Sequence, residues 1–236
     1  MVLDGFEIIP CGGGAGGSIN NGGAGGRSPR VYVTLAEMGA PATVTITVGA
    51  GGAREADGGD SSFGPWAIGH GGRANGVNTL SLGDMPIIAT NQSQNSFAIE
   101  GQGGNRLNDY RHGKGSRRGD VAGGGGSTTP NLEINGNGGA VRPLSKGIGL
   151  PLAGVFAFQA GQIGDLYAGD NPNAAAGAAG HAGVGDNPGG GGNAAHNAQA
   201  GNGGFPGGGG AGSSTAGLHG LGAAGRVIIY PWFKKA

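Results

Sequence analysis

Residues 201–212 read Gly-Asn-Gly-Gly-Phe-Pro-Gly-Gly-Gly-Gly-Ala-Gly, and stretches of this kind decide the fold of the chain. Glycine accounts for 61 of the 236 residues and proline for a further 12. Together they make up about a third of the sequence, a share that usually indicates disorder when no repeat period is present. The first question is therefore whether the glycine-rich stretches are ordered.

The glycines are gathered in short clusters, whereas a flexible linker is more uniform and richer in serine. The clusters lie at 12–17, 22–26, 49–52, 69–72, 101–104, 123–126, 136–139, 189–192, 201–204 and 207–212. Residues 161–225 are nearly free of large apolar side chains, so any order there must come from backbone contacts. Polyproline II helices rich in glycine can pack closely and bond to one another through their backbone groups. We expect such a bundle, with disorder of residues 161–225 as the alternative.

A repeated turn favours order over disorder. The sequence Gly-Asp-Asn-Pro occurs at residues 169–172 and again at 185–188. This combination is typical of turns, and two copies sixteen residues apart fit one element laid beside a copy of itself. No strict Gly-X-Y frame is present, which excludes a collagen triple helix.

Four segments have the composition or alternation of β-strands. They are Val2–Pro10, Arg30–Leu35, Ala42–Val48 and Arg226–Phe233, with weaker candidates at Thr79–Leu82, Pro86–Ala89 and Val155–Phe158. The turn residues Gly39, Ala40 and Pro41 suggest that the second and third strands form a hairpin. Helix signals are poor, because Gly177 and Gly180 interrupt the alanine-rich stretch 174–179.

The predicted fold class is therefore mainly irregular and β, with little or no α-helix. Short strands near the N-terminus and at the C-terminus accompany a packed bundle of glycine-rich polyproline II helices. We expect a single glycine-rich domain over 1–236. Its parts are a strand-containing region (1–60), loops and glycine clusters (61–160), a polyglycine-rich bundle (161–225) and a closing strand (226–236).

Charge and composition argue against several classes of function. Lys plus Arg equals Asp plus Glu at 14 each, so no global field attracts nucleic acid. Cys11 is the only cysteine, which excludes an intrachain disulfide, and the five histidines lack ligand spacing, so we expect no metal site. No apolar run approaches a membrane span, and Asp4 and Glu7 occupy an N-terminus without a basic region, so we predict neither membrane insertion nor a signal peptide.

One motif imitates a cofactor site. Residues 12–17, Gly-Gly-Gly-Ala-Gly-Gly, follow an apolar strand and fit the dinucleotide-binding pattern G-x-G-x-x-G, with Glu37 about twenty residues further on. A true fingerprint opens an amphipathic helix, which residues 18–26 cannot form. We therefore predict no cofactor, and the absence of other catalytic motifs predicts that the chain is not an enzyme.

Two segments are candidates for recognition. Residues 105–120 hold five of the fourteen basic residues and include Arg106, Tyr110, Arg111, His112, Lys114 and Arg117. Tyr and Arg provide contact area and hydrogen-bond donors at binding surfaces, although a solvated loop is the plainer interpretation. Phe63 and Trp66 are the second candidate, because an exposed Trp66 suits a sugar face. If buried, it would fill the small core.

The order of these features resembles the glycine-rich tail proteins of tailed phages, especially minor tail and tail-fibre proteins. The most specific pieces are Thr-Val-Gly-Ala-Gly-Gly at 47–52 and Ser-Ser-Phe-Gly at 61–64, followed by glycine clusters and a terminal Gly-Arg-Val-Ile-Ile-Tyr at 225–230. The resemblance implies a virion structural protein at the tail tip or fibre. Some members are host-recognition adhesins in which packed polyglycine helices present variable loops.

The resemblance also implies partners and location. They are other tail or fibre proteins, a host cell-surface receptor such as a glycan or outer-surface protein, and copies of the same chain, with a trimer expected. Such a protein is made in the host cytoplasm and ends in the virion tail. The less glycine-rich stretch 140–168 departs from the pattern and is a candidate subunit contact.

The alternative to an adhesin is a purely structural virion protein, a decoration or fibre-joining piece without receptor binding. An ice-binding bundle is less favoured, because it predicts a flat face of repeated Thr or Ala, and usually a signal peptide with disulfides.

Overall fold

The computed structural model describes residues 1–19, 21–74, 122–127, 179–180, 182–183, 186–195 and 197–235, together with the backbone of 81–82 and 85–86. The strands are β1 (Val2–Cys11), β2 (Val31–Thr34), β3 (Ile46–Thr47), β4 (Ser61–Phe63), β5 (Ala67–Gly69), β6 (Ser81–Leu82), β7 (Met85–Pro86) and β8 (Arg226–Lys234). Within these ranges a single helical turn, α1 (Leu35–Met38), is present. The prediction of a mainly irregular and β chain with almost no helix is confirmed.

The first and last strands of the chain lie side by side. β1 is the central strand of an antiparallel sheet in the order β2-β1-β8, with Ile8 opposite Val31 and Ile229. A bulge interrupts the β1–β8 register between Leu3 and Gly5. The predicted strands Val2–Pro10 and Arg226–Phe233 are thus confirmed, and each extends one residue further.

A small side-chain core lies on one face of this sheet. A second antiparallel sheet, in the order β3-β4-β5, packs against it. The core consists of buried residues from both sheets and the helical turn, namely Ile8, Val33, Met38, Phe63 and Ala67. Because this core is small for the length of the chain, side-chain packing alone cannot account for its order.

The predicted hairpin between Arg30–Leu35 and Ala42–Val48 is wrong. The Thr34 side chain accepts a hydrogen bond from the Glu37 N–H, and the Glu37 carboxylate accepts one from the Thr34 N–H. This capping box begins α1, which Gly39 ends at a φ of 70°. β2 therefore pairs with β1, and the chain leaves the sheet before it can fold back on β2.

The third predicted strand, Ala42–Val48, is shorter than its alternation indicates. β3 covers Ile46–Thr47, because its partner β4 has three residues and ends where Gly64 turns the chain at a φ of 52°. Val44 packs against the core, but Ile46 and Val48 are 49% and 56% exposed, like the threonines that alternate with them. The period-2 alternation of this segment therefore predicts neither the length of the strand nor the burial of its apolar face.

The remaining described segments are joined through backbone hydrogen bonds, and we call them the glycine lattice. It comprises residues 12–17, 22–27, 49–59, 69–73, 122–127, 189–192, 200–212 and 220–225. Apart from Gly69, the last residue of β5, these segments lie outside the named strands, yet most of their glycines are buried. The chain passes directly from β1 into the lattice at Gly12 and from the lattice into β8 at Gly225.

Residues 12–17 lie at the centre of this lattice. Each of their N–H groups donates to a backbone carbonyl at an N···O distance of 2.8–3.0 Å. Gly12 donates to Arg27, and three residues later Ala15 donates to Ala24 of the same neighbouring segment. Gly13 and Gly16 donate in the same way to Gly59 and Ala56 of a second neighbour. Gly14 and Gly17 donate to Ala223 and Gly220 of a third. The same neighbour is thus reached again after three residues. Carbonyls of this segment accept from Gly72, Gly52 and Gly210, so five other lattice segments surround it, and one of them, 49–59, contacts it on two sides.

Candidate functional site: the glycine lattice and the loops it carries

The interior of the lattice has no room for side chains. A Cβ atom added at Gly14 would overlap the carbonyl oxygen of Gly208, and one added at Gly191 would overlap that of Gly124. Buried methyl groups fit at five lattice positions, Ala15, Ala24, Ala122, Ala200 and Ala211, and the other fully buried side chains in the lattice, Pro206 and Ser127, are also small. Because the interior presents backbone and small side chains, we look for recognition chemistry at its edges and in the segments that connect its parts.

The G-x-G-x-x-G sequence at 12–17 is a lattice segment. In a dinucleotide-binding fold such a sequence turns into a helix whose N-terminus holds a pyrophosphate. Here all six N–H groups already donate to protein carbonyls. Residues 22–27 return beside residues 12–17, with the Ala15 N–H donating to Ala24 at 2.9 Å. Residues 12–17 are therefore neither free to hold a phosphate nor followed by a helix.

Two carboxylates extend the lattice at one edge, three residues apart. Asp57 accepts from Arg73 at 2.6 Å and from the Ala74 N–H at 2.7 Å, and Asp60 accepts from the Gly71 N–H at 2.8 Å. Burial raises the pKa of both carboxyls, but these hydrogen bonds outweigh it and lower the pKa below its ordinary value. The two aspartates thus fasten residues 71–74, after which the segment 75–121 begins.

Six of the predicted recognition residues belong to that segment and lie outside the described residues: Arg106, Tyr110, Arg111, His112, Lys114 and Arg117. The segment re-enters the lattice at Ala122, which is fully buried and donates its N–H to Gly26 at 2.8 Å. A second long segment, 128–178, begins after the buried Ser127. The segment 75–121 is therefore connected to the lattice at hydrogen-bonded residues on both sides, and the segment 128–178 at the buried Ser127.

The other two predicted recognition residues, Phe63 and Trp66, contribute to the core. Phe63 is 4% exposed, and its ring lies 5.7 Å from that of Phe6 and 6.2 Å from that of Trp66. Trp66 is half-buried and packs against the core cluster. Of the two alternatives that the sequence left open for this pair, the geometry favours core filling.

Two potentially reactive side chains of the described part, Cys11 and His219, are buried. Burial raises the pKa of the Cys11 thiol to about 12. His219 is 2% exposed, and burial lowers its pKa, although Glu55 at 3.5 Å opposes this effect. Among the described residues no group of three His, Cys, Asp or Glu side chains is arranged to hold a metal ion. Nor does any described helix have the length and apolar character needed to cross a bilayer.

The second copy of the repeated turn attaches the lattice to the terminal sheet. Asp186 accepts from Arg30 at 2.9 Å and from the Tyr230 hydroxyl at 2.5 Å, and Arg30 also pairs with Glu7. The carbonyl of Asn187 accepts from Arg226 at 3.1 Å. The first copy, at 169–172, lies outside the described residues. The Asp186 side chain and the Asn187 carbonyl thus connect the turn that precedes the glycine segment 189–192 to the sheet.

Comparison with known families gives a match over nearly the whole chain. A family model described as a glycine-rich domain matches residues 3–231. The chain belongs to this glycine-rich domain family. Searches among curated proteins and solved structures found no match. Membership in the glycine-rich domain family agrees with the arrangement of the lattice, in which glycine segments from both ends of the matched region contact one another.

The sequence-based search did not select the aromatic residues on the outer face of the terminal sheet. Tyr32 is 62% exposed and Tyr230 is 41% exposed, and Trp232 lies beside Tyr32. Their signal was present, because Tyr32 alternates with Val31 and Val33, which face the core. Alternation identified the strands, but which face stays uncovered depends on the packing of the second sheet.

Proposed function

We propose that this chain is a structural protein of a phage tail, at the tail tip or in a fibre, whose glycine bundle presents loops for binding to a host receptor. The observation that supports the proposal is the central segment 12–17, which is hydrogen-bonded through its backbone to five other glycine-rich segments and so can form a scaffold with hardly any side-chain packing. The resemblance to glycine-rich tail proteins supplies the biological setting, and the lattice supplies a physical reason for it.

The glycine lattice is, in this proposal, a bundle of polyproline II helices. A helix with three residues per turn directs successive N–H groups in three directions and returns to the first after three residues. The donors at 12–17 follow this pattern. A β-strand, in contrast, alternates with period two and reaches neighbours in one plane.

The relative directions of the segments support the same interpretation. Residues 12 and 15 donate to 27 and 24, so these two segments run in opposite directions, whereas 52 and 55 donate to 14 and 17, so residues 52–55 run in the same direction as 12–17. Such mixed packing around one segment is natural for helices with threefold symmetry, since each of three faces can take a neighbour of either direction.

Receptor binding is assigned to the loops. Residues 105–120 contain five of the fourteen Lys and Arg residues of the chain, together with Tyr110 and His112. Tyr110 and Arg111 are the centre of this segment, and Tyr and Arg are enriched among residues that dominate binding energy. The partners we propose are a host surface receptor, other tail proteins and further copies of this chain, assembled as a trimer.

Binding of the purified chain to host cells tests the proposal. Fluorescently labelled protein should bind the cells, and the variant Tyr110→Ala/Arg111→Ala should lose at least about tenfold in affinity while keeping its melting temperature. Lys235→Ala, which removes an exposed basic residue elsewhere, is the matched control and should bind normally.

Two results would reject receptor binding. If the unmodified chain binds no host cells yet is incorporated into virions, the purely structural alternative is correct. If the double variant binds as well as the control, the basic segment is not the recognition loop.

A further inference from the structure

The outer face of the terminal sheet carries a group of aromatic side chains that the proposed loop function does not use. In the register of β1, Glu7 lies between Tyr32 of β2 and Tyr230 of β8. The next row in the same direction places Gly5 between Thr34 and Trp232. The opposite face of these strands is covered by the core, so the two rows form the sheet's outward surface.

The Trp232 ring lies against the backbone of β1 at Gly5 in this face. A Cβ atom at Gly5 would overlap Cζ2 of the indole, so the ring occupies the space that a side chain at position 5 would fill. The Tyr32 ring lies 6.1 Å away, tilted by 46°. Beside it, Lys234 pairs with Asp4 at 2.7 Å and lowers the pKa of that carboxyl. The backbone at Gly5 and the Tyr32 ring thus flank the indole.

The charged groups around these rings are paired with one another. Arg30 bridges Glu7 and Asp186, the Tyr230 hydroxyl donates to Asp186 at 2.5 Å, and Asp4 pairs with Lys234 at 2.7 Å. With Arg226, which donates to the carbonyl of the neighbouring Asn187, three cations balance the three carboxylates, so the group offers a charged ligand no net attraction. An uncharged ligand with an apolar face and hydroxyl groups matches it, because aromatic faces accept the apolar side and the ion pairs supply hydrogen-bonding groups.

The size of the face also limits its occupant. Aromatic side chains present at most about 150–250 Å² each, so the exposed parts of these three rings amount to on the order of 300 Å². A stable protein interface needs roughly 800 Å² from each partner. The rings are thus too small a surface for a dimer contact of ordinary size, while a sugar ring stacks on one or two aromatic side chains.

We propose that Tyr32, Trp232 and Tyr230 form a binding platform for a neutral carbohydrate. A pyranose ring lies with its apolar face on the indole of Trp232 and the phenol of Tyr32. Its hydroxyl groups bond to Glu7, Arg30 and Asp186 at the edge of the rings. This platform includes none of residues 105–120, so each binding proposal has its own variants and its own test.

Nuclear magnetic resonance provides the test, because the chain has two tryptophans and one of them is an internal control. The protein is titrated with a panel of neutral oligosaccharides: maltohexaose, cellohexaose, chitohexaose and mannohexaose. We expect at least one to shift the indole N–H signal of Trp232 and to leave that of Trp66, in the core, unchanged. Tyr32→Ala should weaken this binding at least tenfold, and Tyr32→Phe, which keeps the ring, should weaken it less than threefold.

A matched control and two contrary outcomes complete the design. Phe233→Ala removes an aromatic residue of similar exposure, 55%, next to the platform in sequence, and should leave the titration unchanged. The proposal is overturned if no member of the panel shifts the Trp232 signal, or if Tyr32→Ala binds as tightly as the unmodified chain. It is also overturned if sedimentation shows a dimer that Tyr32→Ala dissociates, because the face is then an interface between copies.

Discussion

Replacing Gly14 by alanine should destabilise the protein far more than an ordinary glycine-to-alanine change. The added Cβ would overlap the carbonyl oxygen of Gly208, which is backbone and cannot rotate away. Moving Gly208 aside endangers two hydrogen bonds, from the Ala223 N–H to Gly208 at 2.9 Å and from the Gly14 N–H to Ala223 at 2.8 Å.

The magnitude follows from three contributions. Overpacking costs about 1–3 kcal/mol, and each weakened hydrogen bond costs about 1 kcal/mol. The reduced entropy of the unfolded chain offsets about 0.4–1 kcal/mol. We therefore expect the free energy of unfolding to fall by about 2–4 kcal/mol, with a drop in Tm on the order of 10 °C for a chain of this size.

Two controls separate lattice packing from glycine chemistry in general. Gly217 has a φ of 79° and no heavy atom within 4 Å of an added Cβ, so Gly217→Ala carries only the backbone cost of about 1–2 kcal/mol. Ala15→Gly removes a buried methyl group from the same segment and should cost about 1 kcal/mol. Urea denaturation followed by circular dichroism gives all three values. Equal destabilisation by Gly14→Ala and Gly217→Ala would refute the argument from packing.

Three further predictions concern side chains. Phe63→Ala should lower the free energy of unfolding, measured by urea denaturation, by about 3–5 kcal/mol because it leaves a cavity in the core. Phe233 is exposed, so Phe233→Ala should change the free energy of unfolding by less than about 1 kcal/mol. Similar losses for the two variants would place Phe63 outside the core. Because burial lowers the pKa of His219, its imidazole takes up a proton at a higher pH in the unfolded chain than in the folded one, so the free energy of unfolding should decrease as the pH falls from about 6.5 towards 5. The urea midpoint of His219→Gln should decrease less over this pH range. An identical pH dependence of the two proteins would contradict this assignment. Cys11, with its pKa raised to about 12, should resist a thiol reagent at pH 8 in the folded protein and react in denaturant; rapid labelling of folded protein would show that the thiol is accessible.

Local sequence patterns predict the two ends of the chain well. Val2–Pro10 and Arg226–Phe233 are apolar and β-rich, and both form the strands expected of them. The pairing of Arg30–Leu35 could not be read in the same way, because a single capping interaction between Thr34 and Glu37 redirects the chain. Which strands become neighbours depends on such local turns as well as on hydrophobic alternation.

The lattice is predictable in kind but not in its connections. Glycine clusters indicate close backbone packing, yet they carry no information about partners, since one glycine segment resembles another. The central segment contacts residues as distant in sequence as Gly220 and Ala223. The candidate sites show the same limit: Phe63 and Trp66 lie in or against the core, whereas Tyr32 and Trp232 lie on the face that the core leaves uncovered.

Amide hydrogen exchange of residues 12–17 tests the central claim most directly. If glycine segments are held by bonds in three directions, the amides of all six consecutive residues are bonded and should exchange far more slowly than in an unfolded chain, by a factor of at least about a thousand. Isotope-labelled protein and assigned glycine resonances are sufficient for this measurement. Slow exchange at every position from Gly12 to Gly17 is the result that the lattice predicts. Exchange at unfolded-chain rates, or protection only at alternate positions as in the edge strand of a sheet, would contradict it.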